Sequence, residues 1–272
     1  SDVLSKAGIE RPRFEAQALL AHVLGVTRGH VLAGLHRPIS ALDVRRFQTL
    51  VQKRAERVPL AYLRGYREFY ALDMRVSEAT LIPRPETELL VDIALGQLSR
   101  VDGGLLIDVC TGSGCVAVAC AVHAPEVRVL ACDVSVAALQ VAAQNRRLHD
   151  LDDRMVLVAG DVLGMISSGV ADIVTANPAY IPSADIADLQ PEVSVYEPRI
   201  ALDGGPDGLR LQRRVVAEAY RVLRAEGMLA VEVACGQADA VAALMRRAGF
   251  GSVELHRDLA GIERVVSGRR AA

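Results

Sequence analysis

Between residues 104 and 269 short apolar runs take turns with helical stretches, and that alternation admits few architectures. The runs are "GLLIDVC" (104–110), "VRVLACDV" (127–134), "MVLVAGD" (155–161), "ADIVTANP" (171–178) and "GMLAVEVA" (227–234). The helical stretches are "CVAVACAVH", "AALQVAAQNRRLH", "GLRLQRRVVAEAYRVL" and "ADAVAALMRRAG". Two parallel strands need a long crossover, and a helix supplies it while covering one face of the sheet. The pattern predicts an α/β fold whose mostly parallel sheet carries helices on both faces. "SVELHRDL" (252–259) and "ERVVSGR" (263–269) bring the strands to seven. Ligands of such sheets bind at the loops leaving the C-terminal ends of the strands.

The first 66 residues read differently. Pro12 suits the first position of a helix through "FEAQALLAHVLG", which ends at Gly25. Ser40 suits the N-cap of a helix through Arg57, with Leu42, Phe47, Leu50, Val51 and Ala55 near helical spacing, and Pro59 closes it. Residues 67–82 alternate apolar and polar, as a hairpin does. "PRPETELLVDIALGQL" then begins a helix, with Pro85 in its first turn and Glu86 and Glu88 at the positive end of its dipole. The expected division is a helical domain at 1–66, a hairpin linker at 67–82 and a catalytic domain at 83–272. Residues 1–66 carry 11 Lys and Arg against 5 Asp and Glu, and the remainder carries 20 against 28. A basic helical region beside an acidic sheet domain fits an acidic or nucleic-acid-associated partner, and equally a solvated arginine-rich surface.

Composition narrows the class. With 51% hydrophobic and 24% charged residues, 272 residues bury a sizeable core. No apolar run approaches the roughly 20 residues that span a bilayer, and the N-terminal residues carry no signal-peptide pattern. The start at Ser1 rather than Met fits removal of preceding residues. Cys110, Cys115, Cys120, Cys132 and Cys235 form no C-x-x-C pair, and the six histidines have no metal-ligand spacing. The expectation is a cytoplasmic protein with reduced core thiols and no metal site.

"DVCTGSG" (108–114) leaves the first strand through a glycine turn and enters a helix. Gly112 and Gly114 let the backbone pass close to a ligand, and the helix start offers free N–H groups. The third glycine of a dinucleotide fingerprint is missing, so the turn alone carries little. Asp133 closes the second strand where an acid accepts hydrogen bonds from ribose hydroxyls, or else caps the helix starting near Ser135. Asp161 after the third strand suits a contact to an adenine amino group. Together they point to a nucleoside cofactor, and a dinucleotide and S-adenosylmethionine both remain open.

"DIVTANPAYIP" (172–182) separates the two. Asn177 stands at the end of the fourth strand, beside the cofactor by topology. Its carboxamide oxygen and the Pro178 carbonyl are two acceptors, which match the two hydrogens of a planar –NH2 group, while Tyr180 can stack on that plane. Such a nitrogen is a poor nucleophile because its lone pair is delocalised. Hydrogen bonds to both hydrogens favour the pyramidal form, and contact with a methyl sulfonium supplies much of the remaining rate. Asn177, Pro178 and Tyr180 are the expected catalytic residues, with methyl transfer the expected chemistry.

"LIPRPETELLVD", "DVCTGSGCVAVA", "ACDVS", "NPAYIP", "EPRIALDGGPDGL" and "EVACGQ", with the "PLAYLRGYREF" link, occur in an order that resembles the PrmC/HemK family. The resemblance runs from about residue 10 to 266, and the "LIPRPETE" block is its specific part. It implies a class I, Rossmann-like methyltransferase domain behind a helical N-terminal domain that engages the partner. It also implies methyl transfer from S-adenosylmethionine to the glutamine side-chain nitrogen in the Gly-Gly-Gln loop of class I peptide chain release factors. Carried onto this chain, Cys110, Thr111, Gly112, Ser113 and Gly114 form the cofactor turn with Asp133, Asp161, Val162 and Asn177. The substrate side is Asn177, Pro178, Ala179 and Tyr180, with Arg84, Glu86 and Thr87 lining the approach; a local ion pair is the other reading of Arg84 and Glu86. The implied enzyme works as a monomer, without a membrane and without direct nucleic-acid binding.

Three positions depart from the family pattern. Cys110 and Ala234 stand where glycine is usual, and Ala179 stands where a second proline is usual. A proline at 179 restricts its own φ and biases residue 178 toward extended backbone, so its absence predicts a looser clamp and slower turnover. Two other functions share much of this pattern: adenine amino methylation on nucleic acid, and an idle S-adenosylmethionine-binding module. The chain has no Trp and only 4 Phe, which leaves few surfaces for stacking bases.

Overall fold

The computed structural model describes residues 1–34 and 38–272. Five short helices come first: α1 (Asp2–Lys6), α2 (Pro12–Leu24), α3 (Arg28–Leu32), α4 (Ala41–Ala55) and α5 (Leu60–Arg64). Pro12 opens α2 and Gly25 closes it in the left-handed conformation, as the sequence predicts. The Ser40 side chain accepts the Asp43 N–H at the start of α4. α4 is the helix the apolar spacing predicts: Phe47, Leu50, Val51 and Ala55 are half-buried, Leu42 is exposed, and Arg54 is the buried residue of the helix. Arg54 lies between the carboxylates of Glu15 on α2 and Glu192, so charge pairing adds to apolar contact in seating α4.

The hairpin pairs β1 (Tyr66–Phe69) with β2 (Leu72–Arg75) and is shorter than the alternating stretch that suggested it. Tyr70 and Ala71 make its turn with positive φ, and the Tyr70 N–H donates to Glu88 on the following helix. That helix is preceded by a 3-10 turn at Pro85–Thr87 and runs as α6 (Glu88–Leu98). The alternating region then gives β3 (Leu105–Val109), α7 (Cys115–His123), β4 (Arg128–Asp133), α8 (Val136–Leu148), β5 (Met155–Ala159) and β6 (Ala171–Ala176). A short helix, α9 (Pro191–Ser194), interrupts the long loop before α10 (Arg210–Val222), β7 (Leu223–Glu232), α11 (Ala238–Ala248), β8 (Phe250–Arg257) and β9 (Glu263–Arg270).

The seven strands lie in the order β5-β4-β3-β6-β7-β9-β8. The first five are parallel, and β9 runs antiparallel to both of its neighbours. Each parallel strand feeds both layers. Leu106 packs toward α6 and α7, while Ile107 and Val109 pack toward α10 and α11. Burial on both faces explains why these strands read as unbroken apolar runs. Among the described residues no helix is long and apolar enough to cross a membrane.

The chain winds outward from β3 through β4 to β5, then returns to place β6 on the other side of β3. That reversal opens a crevice at the strand ends, where doubly wound sheets bind ligands. Val109 pairs with Cys132 on one side and with Ala176 on the other. The next residue of each strand, Cys110, Asp133 and Asn177, therefore leaves the sheet at one level.

Candidate active site

A cavity of about 360 Å³ opens at these three strand ends, within the roughly 300–1,000 Å³ of small-ligand sites. Of the residues singled out from sequence, Cys110, Thr111, Gly112, Ser113, Asp133, Asp161, Val162 and Asn177 line it, as do Arg84, Thr87 and Ala179. Gly114, Glu86, Pro178 and Tyr180 do not line it.

The turn after β3 is shaped by left-handed backbone. Cys110, Gly112 and Gly114 all have positive φ, at 57°, 56° and 80°. A Cβ at Gly112 would meet nothing within 4 Å, whereas one at Gly114 would come 3.2 Å from the Ala142 Cβ on α8. The first glycine thus keeps the cavity side open and the second lets α8 approach. The Asn145 carboxamide on α8 donates to the Ser113 carbonyl at 2.8 Å and to the Arg75 carbonyl at 3.0 Å, and accepts the Arg75 N–H at 2.6 Å. One fully buried side chain therefore ties the hairpin to the cofactor turn.

Asp133 accepts the N–H groups of Gly112 and Ser135, each at 2.9 Å. Ser135, not Asp133, caps α8 by accepting the Ala138 N–H. Burial raises the Asp133 carboxyl above its ordinary value, against the pull of the Ser135 and Gly112 N–H groups. Asp108, at the floor, is buried and takes hydroxyl protons from Thr111 at 2.6 Å and Thr175 at 2.7 Å. Burial still pushes it up to about 6. The Cys110 thiol is pushed well up by burial and by the Asp133 charge beside it, and so stays protonated. Asp161 is exposed, and Arg214 on α10 holds it at 2.9 Å.

The structure fits a nucleoside cofactor on two counts beyond size. The Ser113 hydroxyl is buried in the wall beside the Cys115 thiol and has no hydrogen bond of ordinary geometry among the described residues. Cofactor atoms can satisfy such an orphan, and the open face at Gly112 lets them reach it.

On the opposite wall the Asn177 Nδ2 donates to Thr87 Oγ1 at 3.3 Å. Arg84 makes no local pair with Glu86. It reaches Glu197, 113 positions along the chain, at 2.7 Å, and burial raises the Glu197 carboxyl against the charge of that arginine. Tyr180 turns its hydroxyl to Glu232 Oε1 at 3.3 Å, so its ring is committed behind the wall. The segment 177–182 is braced from outside. Ile181 donates to Leu202 and accepts from Gly204, and Gln237 donates to the Tyr180 carbonyl at 3.0 Å. Gly204 and Gly208 sit against the Ala179 and Tyr180 carbonyls, so close that a Cβ at Gly208 would fall 2.3 Å from the latter.

Several residues here escaped the sequence reading. Pro198, Ile200, Ala201, Arg210 and Arg214 line the cavity from one side and Ala79, Thr80, Leu81 and Pro83 from another. Asp108 and Glu232 did carry a signal: each is the one charge in an apolar run, "LLIDV" and "MLAVEV". Thr175 and Asn145 carried none, because small polar residues in strands and helices are ordinary.

Two family descriptions match the chain, the PrmC N-terminal domain over residues 1–65 and the methyltransferase small domain over residues 86–189. The release factor glutamine methyltransferase of Rhodospirillum rubrum is 39% identical over 269 residues, covering 99% of this chain and 82% of that one. That of Moorella thermoacetica is 40% identical over 262 residues, covering 96% and 92%. A methyltransferase structure from Pyrococcus furiosus shares the fold at a TM-score of 0.55 and 15% identity, covering 83% and 98%. With such identity over nearly its whole length, the chain belongs to the family of release factor glutamine methyltransferases.

Proposed function

We propose that this enzyme methylates the side-chain amide nitrogen of the glutamine in the Gly-Gly-Gln loop of class I release factors, with S-adenosylmethionine as donor. When bound, S-adenosylmethionine supplies a methyl group activated by a positive sulfur. The observation that carries the reading is the Asn177 carboxamide at the β6 end, its –NH2 directed to Thr87. That leaves Asn177 Oδ1 to accept from a substrate amide, with the Pro178 carbonyl as second acceptor. Two acceptors on one –NH2 hold its nitrogen in line and stabilise the charge that develops on it. The alkylated nitrogen is acidic enough to lose its proton without a strong base.

The Cys110–Gly114 turn with Asp133, Asp161 and Val162 is the proposed cofactor side. Arg84, Glu86, Thr87 and residues 177–180 are the proposed substrate side, where Tyr180 works by supporting the turn rather than by stacking. Residues 1–66 form the proposed recognition domain, 67–82 the linker and 83–272 the catalytic domain. The five free cysteines support a cytoplasmic enzyme, and we take it to act as a monomer without binding nucleic acid.

The test is intact-peptide mass spectrometry of a class I release factor incubated with the enzyme and S-adenosylmethionine. Parallel reactions use the factor with its loop glutamine changed to alanine, and duplex DNA. One methyl on that glutamine, absent from the alanine control, supports the reading. Label on DNA adenine instead refutes it. Asn177→Ala is expected to lower kcat on the order of 10²–10³-fold while keeping cofactor affinity, measured by calorimetry.

A further inference from the structure

Behind the Asn177 wall lies a carboxylate with no part in the reaction as described so far. Glu232 ends β7 beside β6, and its side chain is fully buried. Its Oε1 accepts the Tyr180 hydroxyl at 3.3 Å. The Thr87 hydroxyl lies against the same carboxylate and favours its charged form. Thr87 Oγ1 is also the acceptor for Asn177 Nδ2. Among the described residues Glu232 Oε2 has no hydrogen bond of ordinary geometry, and the Thr87 hydroxyl is a neighbour with a proton to give it.

The far end of this series sets its direction. A hydroxyl has one proton to give, and an ionised carboxylate only accepts. Facing charged Glu232, Thr87 gives its proton there, and its oxygen is left to accept. Of the two ends of the Asn177 carboxamide, only the –NH2 can then face Thr87, which aims Oδ1 at the cavity. A neutral carboxyl, or a glutamine, has a donor of its own. Thr87 can then accept from residue 232 and donate to Asn177 Oδ1, and the carboxamide turns to present –NH2 to the –NH2 of the substrate. Donor against donor does not bind.

We propose that Glu232 is a positioning residue for methyl transfer, holding the Asn177 carboxamide through Thr87 in the orientation that accepts from the substrate amide. The proposal rests on Asn177 being that acceptor. The groups facing Glu232 are Glu86 from the turn before α6, Arg264 from β9, Cys115 from α7, and the hydroxyls of Thr87 and Tyr180. Burial outweighs the help of Thr87, Tyr180 and Arg264, and Glu86 adds to it, pushing the carboxyl up to about 7. The switch in direction therefore falls inside the pH range of an assay.

The experiment begins with the wild-type enzyme on a release factor and on its glutamine-to-alanine form. If no methyl reaches that glutamine, the reading of Asn177 is refuted and this proposal falls with it. Where methylation is seen, kcat, KM and the Kd of S-adenosylhomocysteine are measured for Glu232→Gln, Thr87→Val and Thr87→Ser between about pH 5.5 and 9. In the wild type, kcat is expected to rise through about pH 7, and Glu232→Gln should lack that limb. Glu232→Gln and Thr87→Val should each lose about tenfold or more in kcat, with KM and Kd within about threefold, and Thr87→Ser should keep most of the rate. Wild-type kcat and an unchanged pH limb in Glu232→Gln would overturn the proposal. So would loss of Kd in step with kcat, which marks general structural support. Should Glu232→Gln fail to fold, Thr87→Val and the wild-type pH limb carry the same test: an unaltered kcat in Thr87→Val, or no limb near 7, overturns it.

Discussion

Cys110 and Val162 hold φ values of 57° and 56° in the cavity wall, a region where a Cβ crowds the following carbonyl. Strain of this kind collects at ligand sites whose surroundings over-determine the backbone. The left-handed turn after β3 is one that glycine adopts without strain at position 110. Cys110→Gly relieves about 1–2 kcal/mol of left-handed penalty and returns about 0.4–1 kcal/mol to the unfolded chain. The expected outcome is a net gain of roughly 0.5–1 kcal/mol, seen as a higher urea midpoint at unchanged m-value. Ala179 is a different case. Among the described residues its N–H makes no hydrogen bond, so a proline there would remove none. The clamp turn is already held by Leu202, Gly204 and Gln237, which limits how far the missing ring loosens it. Ala179→Pro is expected to stabilise by about 0.4–1 kcal/mol and to change kcat less than about threefold; a large rate gain would mean the turn is loose after all.

Two segments far apart in sequence decide whether the strand ends become a site. The loop over 202–208 lies against the clamp through backbone, with Gly204 and Gly208 in closest approach. With φ of 71° and a Cβ position 2.3 Å from the Tyr180 carbonyl and 2.6 Å from Gln237 Nε2, Gly208→Ala must displace the clamp. Its expected signature is loss of methyl transfer together with a lower melting temperature, since backbone cannot yield as a flexible side chain can. α8 plays the matching part on the cofactor side through Asn145. Asn145→Ala removes the partner of the half-buried Arg75 N–H and carbonyl and of the buried Ser113 carbonyl. Each orphan costs about 1–3 kcal/mol, and a total loss near 3 kcal/mol is expected in urea denaturation, with cofactor affinity falling because Ser113 is freed.

Across the molecule, one loop joins the N-terminal helices to the cavity. Arg54 and Arg57 hold Glu192, the Tyr196 hydroxyl donates to the Glu56 carbonyl, and five residues after Glu192 the carboxylate of Glu197 takes Arg84 at the cavity wall. The carboxylates of the molecule respond to pH in opposite senses. Although burial opposes it, hydrogen bonding within its own segment and to both arginines lowers Glu192, so its share of stability is present above the ordinary glutamate value and is lost as pH falls below it. Asp108 and Glu232 are raised by burial to about 6 and about 7, so the folded state binds more protons than the unfolded one from about 4 to 7. Their contribution is present at the acid end of that window and is lost as pH rises through it. Thermal stability of the cofactor-free enzyme is therefore expected to fall between about pH 5 and 7.5, and Glu232→Gln should flatten part of that fall. Because His22 and His256, lowered by burial, add a rise of their own in this window, the deciding comparison is with Glu232→Gln: a variant profile parallel to the wild type would contradict the raised Glu232.

Strand and helix periodicity, the glycine turn and the Asn-Pro-x-Tyr corner were legible because each depends on neighbours in the chain. Apolar runs with helical crossovers admit little but a parallel sheet, and chain reversal at β3 then brings Cys110, Asp133 and Asn177 to one level. The partners of those residues were not legible. Thr87 against Asn177, Glu197 against Arg84, Asn145 against Arg75 and Gly208 against Tyr180 are separated by 90, 113, 70 and 28 positions. No local pattern encodes such pairs, because hydrogen bonding and close packing act through space, and only the closed tertiary structure brings the atoms within a few ångströms. Arg54 is a further case: α4 itself was legible from its cap and apolar spacing, but nothing local marked Arg54 for burial, which two carboxylates from other segments make possible.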